Sequence, residues 1–366
     1  MKKIKVYDFL FYLIYTLMVI YHAFSKVVGI SNIRNYILGI VIVGLLFVFI
    51  LQSRKYSYKS FILISLCLVS FFVSYKIASD IILFVTVLFI ISSKNVNFNK
   101  FIKYDLLIKS IIVILVIFLY EIGLTEVVIK ARPDGTIRKA LGFGHPNILG
   151  AFLFSICLDI VYIYYKSMKP IHYIILIVSF FINLWISDSR ATQIGIILLI
   201  IVSIQKNKNK KFLLKFLPYI PILLCGISLL CSIFYTNKSE TWFIINKLTS
   251  SRIKCAYDFY NYYGINLFGH FFEFYGQWGE EYQLTVLDNA YMHILIQFGL
   301  INMLIILFAL TKAIKIIIKD DNIILMLCFC IILIYGLMEL YVYQIVYIPM
   351  LLYIGKILYC KENKNE

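Results

Sequence analysis

Apolar and polar positions fall along this chain in long blocks, not in the short periods of a soluble helix or strand. Mostly apolar runs recur at 8–24, 35–52, 60–75, 77–93, 105–124, 147–165, 170–187, 191–205, 213–235, 289–310, 322–338 and 341–358. A helix needs about 20 such residues to cross the hydrocarbon core of a bilayer. The pattern therefore predicts an all-α, polytopic integral membrane protein with about twelve transmembrane helices, residues 1–366 forming a single membrane domain. Met1-Lys2-Lys3 precedes the first run like the start of a signal peptide. That run has no small-residue cleavage site and further spans follow, so it is expected to stay as an anchor.

The polar blocks between the runs set an orientation. With the N-terminus inside, the inner loops hold Arg54-Lys55, Lys94/Lys100/Lys103, Lys166/Lys169, Lys206/Lys208/Lys210/Lys211, Lys312/Lys315/Lys319 and the tail Lys361/Lys364. All the dense lysine clusters then face the cytoplasm, as the positive-inside rule requires, and both termini are inside. The outer side keeps three unusual stretches: 126–146, the turn Ser187-Asp188-Ser189-Arg190, and a large external loop at 236–288. A connection of some fifty residues is too long for a mere link, so function is expected on the external face.

Composition agrees with the blocks. The chain is 62% hydrophobic and 15% charged, whereas soluble domains are about a quarter charged. That excludes an ordinary cytosolic enzyme and a disordered chain. A net charge of +16 would suggest nucleic acid in a soluble protein. Here positive-inside loops against anionic membrane lipid account for it, and no nucleic-acid partner is expected. Of the eight cysteines only Cys255 lies in a long polar segment, so no disulfide forms within that loop.

Arginine carries more information. Six arginines stand against 29 lysines, and Arg132, Arg138, Arg190 and Arg252 all fall in the outer stretches where cations should be depleted. A planar, permanently charged fork suits bidentate binding of phosphate or diphosphate; surface charge or lipid-headgroup contact is the plainer reading. Gly142-Phe143-Gly144-His145-Pro146-Asn147 reads as a turn into a helix start, whose N-terminus favours an anion. His145 is either a satisfied turn residue or a general base. Aromatic rings crowd the large loop, as an interfacial belt or as a platform for sugar rings. Its end, Asp288-Asn289-Ala290-Tyr291-Met292-His293, puts a carboxylate and a carboxamide at a helix mouth, where Asp288 suits an N-cap, a base for a hydroxyl, or both. The outer stretches hold no Asp-x-Asp, no His-x-x-x-His and no cysteine pair, so neither a catalytic metal nor another cofactor is expected. Walker and Gly-x-Ser-x-Gly motifs are absent too, against ATPase and hydrolase readings.

Arg132, Arg138, Gly142-Phe143-Gly144-His145-Pro146-Asn147-x-x-Gly150, Ser189-Arg190, Ser250-Ser251-Arg252 and Asp288-Asn289-x-Tyr291 with Gly299 resemble, in order, the external motifs of bacterial O-antigen and capsule repeat-unit polymerases of the Wzy type. The resemblance covers roughly 126–305. It implies a GT-C-like membrane glycosyltransferase of the bacterial inner membrane, acting on undecaprenyl-diphosphate-linked oligosaccharides as donor and acceptor. A chain-length regulator and a flippase are the implied protein partners. Related O-antigen ligases often have His-Asn where this chain has Asp288-Asn289, a departure that favours polymerase over ligase. Ser250-Ser251-Arg252 replaces the family's frequent Ser-Gly-Arg. On this resemblance Arg190, Arg252 and one of Arg132 and Arg138 grip the diphosphate, Asp288 or His145 is the base, and Asn289 orients the acceptor. Asn147, Tyr291 and His293 complete the expected substrate-binding set. The rival expectations are a flippase for the same lipid-linked glycan, which should carry cations near mid-helix, and a polysaccharide ligase. The ionisable residues assigned to the spans, such as Asp80, Lys109, Asp159 and Glu339, are few and of mixed sign.

Overall fold

Long apolar runs with few glycines and prolines satisfy their backbone groups within one segment, which in lipid leaves the helix as the available form. The computed structural model describes residues 6–27, 33–53, 56–132, 135–204, 215–236, 238–274 and 284–359. The lysine clusters at the N-terminus, 206–211 and 361–364, the Arg54-Lys55 pair, and the loop residues Tyr275 and Trp278 lie outside those residues. The helices are α1 (Val6–Ala23), α2 (Arg34–Ser53), α3 (Tyr58–Ala78), α4 (Ile82–Ser92), α5 (Phe98–Glu121), α6 (Pro146–Tyr164), α7 (Pro170–Ile182), α8 (Arg190–Ile204), α9 (Ile220–Phe234), α10 (Glu240–Leu248), α11 (Arg252–Tyr263), α12 (Ala290–His293), α13 (Leu300–Lys319), α14 (Ile323–Tyr335) and α15 (Lys356–Tyr359).

Seven helices, each overlapping an expected span, are long and apolar enough to cross a bilayer: Val6–Ala23, Arg34–Gln52, Ser60–Ala78, Pro146–Ser167, Pro170–Ser187, Leu217–Phe234 and Leu300–Lys319. The last is displaced from the expected 289–310, because the chain breaks at the π turn Ile294–Phe298 and Gly299 and the helix then takes in Lys312, Lys315 and Lys319. The other five expected spans differ for identifiable reasons. α4, α8 and α14 have 11, 15 and 13 residues, which at 1.5 Å per residue fall short of a core about 30 Å thick. α5 is long enough at 24 residues but carries Lys100, Lys103, Asp105 and Lys109. The run at 341–358 is not one helix. It breaks into 3₁₀ turns at Leu340–Tyr343 and Pro349–Gly355 before α15, because Pro349 lacks an N–H and pushes its predecessor out of the helical region. The chain is thus helical, with seven long candidate spans among the described residues, consistent with a multi-pass membrane protein.

Contacts divide it into two units. The first comprises Met1–Tyr56, Leu88–Asn209 and Ile345–Gly355; the second comprises Ser57–Val87, Lys210–Gln344 and Lys356–Glu366. In the first unit α6 is the central helix, with 72% of its spanning window buried against 22% for α2. α2 turns Ile40, Val43, Phe47 and Ile50 away from protein, as a lipid-facing helix should. Phe11, Tyr15, Phe89 and Phe101 interlock edge-to-face at 5.7, 5.9 and 4.8 Å, a geometry favoured by the ring quadrupole. In the second unit Ser74 Oγ of α3 donates to the Phe298 carbonyl at 2.9 Å, and Ser70 Oγ donates to Asn302 Oδ1 at 2.6 Å. The segment 266–270 lies along 297–301, with Leu300 N donating to Asn266 O at 2.8 Å and His270 N to Gln297 O at 3.1 Å. Gly269, at φ 92°, makes that approach possible, since a Cβ there would sit 2.0 Å from the Gln297 carbonyl oxygen.

Two candidate sites, one in each unit

In the first unit the stretch 126–146 is not a plain loop. Glu126 N donates to Lys26 O at 2.9 Å, and the chain then makes a short antiparallel hairpin, β1 (Ile129–Ala131) with β2 (Ile137–Lys139). Lys130 faces Arg138 across it. Arg132 leaves the end of β1. α7 ends in a π-helical turn, Asn183–Ser187, followed by Asp188 in the left-handed region (φ 42°). π turns of this kind recur at functional positions. Asn183 holds the turn closed, donating from Nδ2 to Ser189 O at 2.9 Å and accepting at Oδ1 from Ser187 Oγ at 2.6 Å.

Both hairpin arginines point at this turn. Arg132 Nη1 pairs with Asp188 Oδ2 at 3.1 Å, while its Nη2 donates to the Asp188 carbonyl at 2.5 Å. Arg138 donates from Nε to the Ser187 carbonyl at 2.7 Å and from Nη2 to Asn147 Oδ1. Arg190, half-buried, opens α8 immediately beyond the turn. Gln193 Nε2 donates to Asp188 Oδ1 at 3.0 Å. Gly150 lets α6 lie against the same turn, for a Cβ there would come within 2.8 Å of Thr192 Oγ1 and 2.9 Å of Ser189 Cβ. The helix start predicted at Pro146 is present, and His145 is its cap, with Nδ1 accepting from Asn147 N at 3.1 Å. Burial, then the charges of Arg138 and Lys130, lower the His145 pKa to about 4. A neutral imidazole whose Nδ1 accepts carries its proton on Nε2, which can therefore donate to a ligand. Among the described residues, Arg132 and Arg138 converge on the Ser187–Asp188 turn, with Lys130 opposite Arg138 on the hairpin and Arg190 two positions past Asp188, so basic groups outnumber the Asp188 carboxylate there.

The second unit gathers the later motifs. Ser250 and Ser251 take left-handed backbone (φ 54° and 65°) and turn the chain into α11, which Arg252 begins. The Arg252 guanidinium Nη2 contacts Glu339 Oε1 at 2.9 Å and Asp288 Oδ2 at 3.6 Å, and Nε donates to the Met338 carbonyl. Burial works against the charge on Arg252. Glu339 and Asp288 outweigh it and hold the pKa above its ordinary value. The Glu339 side chain is 1% exposed and that of Asp288 19%, so Asp288 is the carboxylate with access to a ligand. The N-cap expected of Asp288 is made by the next residue: Asn289 Oδ1 accepts from Met292 N at 3.1 Å, and Asn289 Nδ2 donates to Ser228 Oγ at 3.1 Å. The capping leaves Asp288 for Arg252.

Tyr291 and His293 turn inward. Tyr291 OH donates to the Leu333 carbonyl at 2.8 Å, and the His293 ring stacks on Tyr343, whose OH lies 3.1 Å from Nδ1. Part of the aromatic loop is core as well: Phe259 packs on Phe272 at 4.8 Å, and Tyr263 on Phe272 at 5.1 Å. Phe243, Phe271 and Phe274 remain exposed, as belt or platform residues would.

Sequence reasoning missed Asp188 and Glu339 as the carboxylates that hold Arg132 and Arg252. Glu339 did carry a signal, since a carboxylate beside an apolar run needs a partner. Asp188 sat unremarked in a turn already singled out. Among the described residues no group of three or more His, Cys, Asp or Glu side chains is placed to hold a metal ion. No family model, no curated protein and no solved structure matches this chain.

Proposed function

We propose that this protein is a membrane glycosyltransferase that polymerises undecaprenyl-diphosphate-linked oligosaccharide repeat units into surface polysaccharide, O-antigen or capsule, on the external face of the bacterial inner membrane. The supporting observation is the convergence in the first unit. Arg132, Arg138 and Asn147, with the turn that leads into Arg190, are scattered over nearly sixty positions yet meet around Asp188. A local cationic cluster of this kind suits a diphosphate and supports the reading drawn from the motif order.

In the proposed reaction a terminal sugar hydroxyl of one lipid-linked unit attacks the anomeric carbon of another. A new C–O bond forms as the bond from that carbon to the diphosphate oxygen breaks, and the electron pair leaves with undecaprenyl diphosphate. The hydroxyl proton passes to a general base, for which the Asp288 carboxylate is the first candidate; His145 is the second, and it accepts the proton only by releasing the cap that occupies its Nδ1. Arginines that meet the diphosphate more strongly as its charge grows lower the barrier itself. The candidates for that role are Arg132, Arg138 and Arg190 of the first unit and Arg252 of the second.

A flippase for the same substrate is the alternative, favoured by one observation: the buried charged group Asp105–Lys109 in the first unit, since charges within spans mark transport pathways. Cells distinguish the two. Arg190→Lys or Arg252→Lys keeps the charge but loses the planar fork, and is expected to collapse glycan ladders to a single-unit band at the cell surface. Full-length ladders from stably expressed variants would remove these arginines from the reaction. Loss of the single-unit band as well would make the protein the transporter.

A further inference from the structure

Three helices of the first unit bury a polar group that the proposed reaction does not use. Tyr15 of α1, Asp105 and Lys109 of α5, and Ser155 and Asp159 of α6 are all completely buried. Lys109 Nζ contacts Asp105 Oδ2 at 2.5 Å and donates to Ser155 Oγ at 2.6 Å; Tyr15 OH donates to Asp105 Oδ1. These contacts use both oxygens of Asp105 and would by themselves join α1, α5 and α6.

Asp159 is therefore surplus to that lock. It lies one helical turn beyond Ser155, close enough to Asp105 for their charges to act on each other, and neither of its oxygens accepts a hydrogen bond from any donor. Two ionised carboxylates are both acceptors and cannot bond to each other. Two carboxylates against one ammonium would also leave a negative charge without a partner in a fully buried place, among the costliest arrangements in a protein. One proton removes both difficulties. It neutralises the excess and gives the Asp159 carboxyl a donor of its own, as buried carboxyls beside a like charge elsewhere hold a proton. The titratable groups around the pair are few. Tyr15 faces it from α1, Tyr104 and Lys109 from α5, and Cys157, bonded to Ser179 of α7, from α6. α4 brings no ionisable side chain. Arg34 of α2 is engaged at the far end of α1, over the Tyr21 ring.

We propose that Asp159 is an intramembrane proton-binding site beside the Asp105–Lys109 pair, its buried carboxyl carrying one proton at neutral pH. The site is independent of the glycosyl-transfer reading. Loss of the proton places like charges on facing helices α5 and α6, so the packing of α6, the helix that starts at His145, responds to proton supply.

Infrared spectroscopy of the full-length protein in lipid nanodiscs tests this directly. A protonated carboxyl absorbs well apart from an ionised carboxylate and shifts in heavy water. The expected result is one protonated-carboxyl band at neutral pH that disappears in Asp159→Asn, whose amide supplies the donor and leaves the fold intact. Should Asp159→Asn fail to fold, ¹³C-aspartate spectra of the unaltered protein replace it, and one buried aspartate with a neutral-acid shift at pH 7 is expected. Unchanged bands in Asp159→Asn, or only ionised buried aspartates in the labelled protein, overturn the proposal. So does a sodium- or potassium-specific stabilisation that Asp159→Asn abolishes, which would put a metal cation where the proton is assigned.

Discussion

Replacing Arg252 by leucine separates its structural role from its chemical one. In the folded protein its guanidinium is 12% exposed and is shared between Glu339 at 2.9 Å and Asp288 at 3.6 Å. Each contact carries about 4 kcal/mol of attraction at an effective dielectric near 20, before desolvation. Arg252→Leu therefore leaves a buried Glu339 facing a second carboxylate with no cation, and removing one partner of such a pair costs about 3–5 kcal/mol. Against a total stability of about 5–15 kcal/mol that loss is large and measurable. The double variant Arg252→Leu/Glu339→Leu removes the buried pair and leaves only the more exposed Asp288 carboxylate, and apolar replacement of a whole buried pair is close to neutral. Stability should return to within about 1 kcal/mol of the unaltered protein, a coupling of at least about 2 kcal/mol. Polymerisation should stay absent, because neither leucine restores the hold on Asp288. Unfolding in mixed micelles measures the first quantity, and product ladders from the same preparations measure the second. A double variant as unstable as Arg252→Leu alone would refute the buried-pair reasoning. A double variant that polymerises would show that Arg252 has no part in the chemistry.

Three further outcomes are expected. His145, its pKa lowered to about 4 by burial and by Arg138 and Lys130, should show no imidazole titration near 6.5 in ¹⁵N-histidine spectra of the folded protein. Because only the unfolded chain takes up that proton between pH 6.5 and 4, stability from this residue is full above 6.5 and falls through that window; His145→Asn should flatten the fall. Gly269→Ala should cost several kcal/mol or prevent folding, since φ is 92° and the new Cβ would lie 2.0 Å from a carbonyl oxygen, a conflict far beyond the roughly 1–3 kcal/mol of ordinary overpacking; thermal unfolding in detergent checks it. In a cysteine-free background, an impermeant thiol reagent should label a cysteine at position 238 of intact cells and not one at 363, and the reverse would invert the orientation.

The helix starts and the long spans were legible because their signals are local. Pro146 after His145 marks the entry of α6, and runs such as 35–52 and 60–75 are mostly apolar and fall in long helices. Hydropathy could not tell a broken segment from a helix at 341–358, although Pro349 was the available clue. The hairpin at 129–139 escaped because three residues per strand are too few to show a period. Asp288 and Asn289 were read as a helix mouth, but which of them caps it depends on backbone position alone, and the cap fell to Asn289. The acceptors of the arginines are a different matter. Asp188 lies 56 positions from Arg132, and Glu339 lies 87 from Arg252. Pairings over such separations follow from how helices pack, and one sequence carries no local trace of them. The buried Asp105–Lys109 pair, by contrast, is an i, i+4 contact on one helix face and was open to reading from spacing.

The central claim, glycosyl transfer between lipid-linked units, is tested most directly by incubating the purified full-length protein with undecaprenyl-diphosphate-linked repeat units. Products are separated by gel electrophoresis, with and without excess chelator. The account predicts a ladder of lengthening glycan, release of undecaprenyl diphosphate, and the same yield with chelator present. No lengthening from competent substrate, or lengthening that needs added Mg²⁺ or Mn²⁺, would contradict it.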